Sequence, residues 1–158
     1  MTDAAPDALA HYAAERDGAR LFLRGTAIVV DGRGVLIVGA PGRGKSGLSL
    51  FLMAHGARLV SDDGVWVAPT PSGPVVRRPD SAPPLIEARG IGLLNGGPIC
   101  PDAPLHLIVD LDRGESARLP PRRIVTFGTA EIELILGAGL PEPGPALLLM
   151  LRHGRAIP

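Results

Sequence analysis

A single α/β domain with few helices, organised around a phosphate-binding loop, is the fold class this sequence predicts, and three observations predict it. The first is Gly39-Ala40-Pro41-Gly42-Arg43-Gly44-Lys45-Ser46, a G-x-x-x-x-G-K-[ST] motif set between the apolar run Val35-Leu36-Ile37-Val38 and the amphipathic run Leu48 to Met53. The second is the number of short β-branched runs bounded by Gly and Pro, with only a few stretches that read as helix. The third is size: 158 residues suffice for one core but not for two ordinary domains, so residues 1–158 are expected to form one domain.

Taken in chain order, residues 7–17 are Ala-rich with Leu9 and Tyr12 three apart, and residues 1–20 are expected to be an N-terminal extension or short helix. Thr26-Ala27-Ile28-Val29-Val30 reads as a strand, Asp31-Gly32-Arg33-Gly34 as a turn, and Val35 to Val38 as the strand that enters the loop. The following helix is expected from about Lys45 to His55, with Gly56 as its C-cap. Arg58-Leu59-Val60 starts another strand, Asp62-Asp63-Gly64 interrupts it, and Val65-Trp66-Val67 resumes. Residues 69–84 are Pro-rich and loop-like, with Val75-Val76 as a short strand. Leu105 to Leu111, Ile124 to Phe127 and Ile132 to Leu136 are further strands, while Ala146 to Arg152 is too short for periodicity to separate strand from helix.

Composition narrows the function classes. Sixteen Lys+Arg balance 16 Asp+Glu, which gives no electrostatic case for nucleic acid or an anionic membrane. Gly (21) and Pro (17) are abundant, yet 46% hydrophobic residues argue against a disordered chain. The single cysteine, Cys100, has no partner for a disulfide and no metal-site spacing. No apolar run approaches the ~20 residues that span a bilayer, and the N-terminus lacks the basic and apolar regions of a secretory signal. A cytoplasmic location is the expectation.

The loop's chemistry follows from its glycines. They let the backbone of Gly39, Ala40, Pro41, Gly42, Arg43 and Gly44 wrap around phosphate oxygens, and the positive end of the next helix faces the same anion. Lys45 is expected to reach the β- and γ-phosphates of a nucleoside triphosphate and the Ser46 hydroxyl to ligate Mg²⁺. Phosphoryl transfer further needs carboxylates at the metal and at the attacking oxygen. Asp62-Asp63 ends an apolar strand, where an open sheet presents its carboxyl ends to one crevice; a solvated Asp-Asp-Gly hairpin turn is the alternative. Glu87-Ala88-Arg89-Gly90-Ile91-Gly92 is a second charged island, offering one metal or hydroxyl contact and one phosphate contact, or else a plain surface Glu–Arg pair.

In this order the three islands resemble the HPr kinase/phosphorylase family, in the short form consisting of the C-terminal kinase domain, over about Leu21 to Arg152. The resemblance implies a P-loop kinase core akin to the nucleotide-binding core of phosphoenolpyruvate carboxykinase, with a mixed, largely antiparallel sheet. It implies ATP- and Mg²⁺-dependent phosphorylation of a seryl hydroxyl on HPr or an HPr-like phosphocarrier protein, which regulates the phosphotransferase system. It further implies Gly39 to Ser46 on the triphosphate, Asp62 as general base, Asp63 beside it at the metal or the base, Glu87 as a metal ligand with Ser46, and Arg89 beside the phosphates. Arg118, just before Leu119-Pro120, resembles a further active-site arginine.

Several positions depart from the family pattern. Arg24 stands where the family has a histidine, and a guanidinium cannot act as a base. Pro41 removes one N–H from the anion nest, and Gly47 replaces an acidic residue beside Ser46. The basic loop associated with phosphorolysis corresponds to Gly139-Leu140-Pro141-Glu142-Pro143-Gly144, which carries no cation. Kinase activity with weak or absent phosphorylase activity is therefore expected. A nucleotide-binding module without turnover and a kinase for a different acceptor are the alternatives, and a monomer and a small homo-oligomer are both open.

Overall fold

The computed structural model describes residues 7–156. The chain opens with β1 (Asp7–Ala8), a 3-10 turn over Leu9–Tyr12, β2 (Ala13–Asp17) and β3 (Arg20–Leu23). The hairpin of β4 (Gly25–Val30) and β5 (Arg33–Val38) delivers the phosphate loop to α1 (Lys45–Ala54). There follow β6 (Arg58–Ser61), β7 (Val65–Thr70), β8 (Gly73–Arg77), the hairpin of β9 (Leu85–Ala88) and β10 (Gly92–Asn95), and the long β11 (Asp102–Gly114). β12 (Arg123–Phe127), β13 (Ala130–Ala138) and α2 (Pro143–His153) complete the order.

Period-two alternation sets the layering. All six residues of β4 are buried; Ala27 and Val29 join one apolar cluster, Ile28 and Val30 the other. A strand buried on both faces must be covered twice. On one side lie Leu48 and Leu52 of α1 and Leu147 and Leu151 of α2. On the other lie Leu21, Leu23, Val65, Val67 and Val76 of a second curved set of strands, together with Leu9. Burying a leucine such as Leu52, which is fully inaccessible, contributes about 1.5–3 kcal/mol.

The central strands run in the order β6-β4-β5-β11-β13-β12-β1. β11 is parallel to both β5 and β13 through its second half, and its first residues turn to pair antiparallel with β8, which continues to β7, β3 and β2. Apart from these two parallel pairings and the short one between β1 and β12, the ladders are antiparallel. The mixed, largely antiparallel sheet with few helices is as expected, and Ala146 to Arg152 resolves as helix.

Two expectations are corrected. Residues 1–6 of the expected extension lie outside the described residues, and residues 7–17 are helical only in the 3-10 turn over Leu9–Tyr12: β1 pairs with β12, Leu9 is fully buried, and β2 pairs with β3. Alanine's helix preference amounts to a few tenths of a kcal/mol per residue and yields to burial of Leu9 and to ladder hydrogen bonds. Within the Pro-rich residues 69–84, Val75-Val76 is a strand as expected and 78–84 stay outside any strand or helix, but the first part is a hairpin of β7 and β8 rather than a loop; Pro69 and Pro74 face each other near its end, where few amide donors are needed.

Candidate active site at the phosphate loop

The turn from β5 into α1 needs glycine at three points: Gly39 (φ 154°), Gly42 (φ 84°) and Gly44 (φ 100°) all have positive φ. Gly44 is the N-cap of α1, and Lys45 and Ser46 are its first two residues, so their amides point out of the helix start. Lys45 Nζ donates to the Gly39 carbonyl at 2.5 Å, folding the ammonium back over the loop. Pro41 is exposed on the crest, where it withholds an amide.

Asp62 follows β6. This strand does not adjoin β5: β4 lies between them, antiparallel to both, so β6 and β5 run the same way and end at the same edge. Asp62 Oδ1 accepts the Thr26 hydroxyl at 2.8 Å, and Oδ2 accepts the Glu87 amide at 3.2 Å. The carboxylate thus ties β6 to the start of the β9–β10 hairpin and retains free lone pairs. Glu87 is exposed on β9, which packs against α1. Arg89 sits in the three-residue turn Arg89-Gly90-Ile91, with Gly90 at φ 83°. Its guanidinium reaches the loop: a Cβ placed on Gly42 would lie 3.6 Å from the Arg89 nitrogen.

Two acids that sequence reasoning left unassigned also stand here. β11 runs beside β5 with Asp110 level with Val38, so Asp112 falls alongside the loop. Both Asp112 carboxylate oxygens accept the Ala40 amide at 3.0 Å, and Oδ1 lies 3.3 Å from Arg43 Nε. Asp110 is only 3% exposed; Oδ1 accepts the Asp112 amide at 2.9 Å and Oδ2 the Tyr12 hydroxyl at 2.8 Å. Burial first, and then the bond to Asp110, push the Tyr12 phenol up to about 12, so it remains a donor at neutral pH. Arg113 donates to Tyr12 and pairs with Asp7 at 2.5 Å, which fastens the N-terminal segment beneath the loop. Tyr12→Phe leaves a buried carboxylate oxygen without its donor. We expect a loss of about 1–3 kcal/mol, read as a melting temperature several degrees lower, while an unchanged midpoint would remove Tyr12 from this role.

The other sequence-derived residues are less central. Asp63 is exposed and left-handed (φ 60°), the turn residue between Asp62 and Gly64. Arg24 is exposed, with its guanidinium 5.4 Å from the centre of the Phe22 ring. Arg118 does not join the loop: it lines a separate cavity of about 240 Å³ bounded by α2, β13 and the β11–β12 connection. Arg123 grips Glu115 there with two hydrogen bonds of 2.6 and 2.9 Å and holds that carboxyl down at about 2, which fixes the connection away from the phosphate loop. The loop itself borders a larger cavity of about 580 Å³, walled by Leu48 and Phe51 of α1, by Leu111, and by residues 137–140 and 142–145. The stretch lacking cations is therefore one wall of the space beside the loop.

Oxygen donors of the kind magnesium takes are present in the Ser46 hydroxyl and the Glu87 carboxylate. Magnesium keeps several waters and binds through one or two protein oxygens plus substrate phosphates. Among the described residues no group of three or more His, Cys, Asp or Glu makes a ready cage. The Ser46 hydroxyl and the Glu87 carboxylate are donors that suit such an ion.

A phosphate loop on a central strand, acids at the carboxyl ends of strands running the same way, and a two-helix layer define the class: a phosphate-loop α/β protein. Residues 18–115 match the model of the HPr Serine kinase C-terminal domain, and the chain belongs to that family. It is 30% identical to an HPr kinase/phosphorylase of Geobacillus thermodenitrificans over 94% of this chain and 48% of that protein. With the HPr kinase/phosphorylase of Azoarcus sp. the figures are 33%, 86% and 45%. The solved HPr(Ser) kinase/phosphatase of Coxiella burnetii superposes with a TM-score of 0.71 at 26% identity, covering 83% of this chain and 93% of that one. The chain spans about half the length of the curated relatives it matches.

Proposed function

We propose that this chain is the kinase domain of an ATP- and Mg²⁺-dependent serine kinase, acting in the cytoplasm on HPr or an HPr-like phosphocarrier protein and so regulating the phosphotransferase system. The observation that carries the reading is convergence: Asp62 bonds the Glu87 amide, and Arg89 lies over Gly42 of the loop. Three islands separate in sequence thereby meet at one sheet edge.

The loop amides and Lys45 would bind the triphosphate, with Lys45 leaving the Gly39 carbonyl for phosphate oxygen. Ser46 and Glu87 would hold Mg²⁺, which would supply charge neutralisation of the phosphates. Asp62, oriented by Thr26 and the Glu87 amide, takes the proton of the acceptor hydroxyl as that oxygen bonds the γ-phosphorus and the bond to the leaving diphosphate breaks. Arg89 binds the equatorial oxygens with its planar fork, and Asp63 stands beside the base on the exposed rim. Arg118 is assigned no part in this reaction because its cavity contains no phosphate-loop residue.

The test is transfer of labelled phosphate from ATP with Mg²⁺ to a serine of purified HPr. Binding of ATP without transfer to HPr or to other phosphocarriers would refute the kinase reading. Phosphorolysis is expected to be weak or absent, since the wall at residues 139–144 offers no cation to free phosphate. Serine-phosphorylated HPr incubated with millimolar phosphate should stay phosphorylated, and its rapid dephosphorylation would contradict this.

A further inference from the structure

We infer that Asp112 is a specificity residue of the phosphate loop: its carboxylate stands in for a phosphate oxygen, so the loop turns away bare phosphate anions and admits a triphosphate whose charge a divalent cation has neutralised. The inference rests on the nucleotide reading above.

An amide in an anion nest is satisfied by whatever negative oxygen reaches it. Here both oxygens of Asp112 sit 3.0 Å from the Ala40 nitrogen, and Arg43, another loop residue, pairs with the same carboxylate at 3.3 Å. The position is built in from behind. The Asp112 amide donates to buried Asp110, which Tyr12 holds in turn, so the backbone that carries this exposed carboxylate is fixed beside the loop. Gly39 lets β11 lie close to the loop, because a Cβ at that position would come within a tight 3.1 Å of the Leu111 Cβ.

An arriving triphosphate meets this carboxylate at the first amide of the nest. It must take the Ala40 amide and Arg43 from Asp112, and the displaced carboxylate remains close by on its short tether. A bare anion then faces a like charge at close range. With a divalent cation bound, the incoming group carries less charge and the displaced carboxylate lies near a positive one, so the same contact costs far less.

Calorimetric titration of the full chain separates the possibilities, using ATP with Mg²⁺, ATP with EDTA, and metal-free pyrophosphate. For Asp112→Asn we expect metal-free ATP and pyrophosphate to bind about tenfold more tightly than to wild type, with the affinity for Mg²⁺-bound ATP changed by less than about twofold. Asp112→Ala, checked by thermal unfolding, should behave in the same way. Equal metal-free affinities across the three proteins would overturn the inference and leave the nucleotide reading standing. A large loss of affinity confined to Mg²⁺-bound ATP would overturn it in favour of direct metal ligation by Asp112. If neither wild type nor variants bind nucleotide in either buffer, the nucleotide reading fails and the inference falls with it.

Discussion

Asp62→Asn should lower the rate of phosphoryl transfer to the acceptor serine by about 10²–10⁴, the range a positioned general base contributes, while leaving affinity for Mg²⁺-bound ATP nearly unchanged. The substitution is close to isosteric and keeps one oxygen. That oxygen can still accept the Thr26 hydroxyl, although the new amide group can no longer accept from the Glu87 N–H as Oδ2 does. The hairpin carrying Glu87 and Arg89 is therefore loosened at one bond, worth a net ~0.5–1.5 kcal/mol, a small change beside the loss of the base. Thr26→Val supplies the comparison. Thr26 is fully buried, and the valine removes the donor that aims Asp62 without removing the carboxylate. It should reduce transfer less than Asp62→Asn does. Single-turnover transfer measured with saturating nucleotide distinguishes these outcomes. A rate for Asp62→Asn within about tenfold of wild type would mean that another group takes the proton.

The parts of this site that were legible in the sequence are those whose chemistry is local. The phosphate loop needs its glycines at fixed offsets because consecutive amides must face one anion, and Gly39, Gly42 and Gly44 do have positive φ. Asp62 was legible as a strand-end acid, although the route to the loop is different from the one the sequence suggests. β6 reaches the loop's edge by lying parallel to β5 with β4 between them, a two-step relation that no spacing encodes. Asp110 and Asp112 were not legible. They follow a plain apolar run, and they acquire a role only when β11 docks beside β5, a pairing between residues about seventy positions apart in the chain. Tyr12, in a segment whose sequence suggests only an extension or short helix, is hidden for a related reason: its value lies in a bond to Asp110, 98 residues away. Arg118 shows the converse case, a residue that fits a motif while Glu115 and Arg123 fix its connection elsewhere.

Lys45→Ala should reduce kcat/KM for transfer by about 10²–10³, the loss seen when one preorganised electrostatic partner of a developing charge is removed. The deletion should touch the reaction rather than the fold. Lys45 Nζ bonds the Gly39 carbonyl at 2.5 Å, a contact inside the loop with no element depending on it, and the lysine begins α1 instead of occupying its buried face. Losing that bond exposes a carbonyl to water in an open loop, so the melting temperature should hardly move. In the nucleotide complex the ammonium exchanges this neutral oxygen for charged phosphate oxygens, and its contribution is greatest where negative charge shifts toward the leaving diphosphate. The compact ammonium matters as much as the charge, because a guanidinium is planar and too broad for a contact this close to the loop backbone. Lys45→Arg should therefore fail to restore transfer. Calorimetry with Mg²⁺-bound ATP and steady-state transfer to HPr divide the loss between binding and catalysis. If Lys45→Ala transferred phosphate within about tenfold of the wild-type rate, the loop would be serving as a binding cradle alone, and the charge stabilisation would have to come from Arg89.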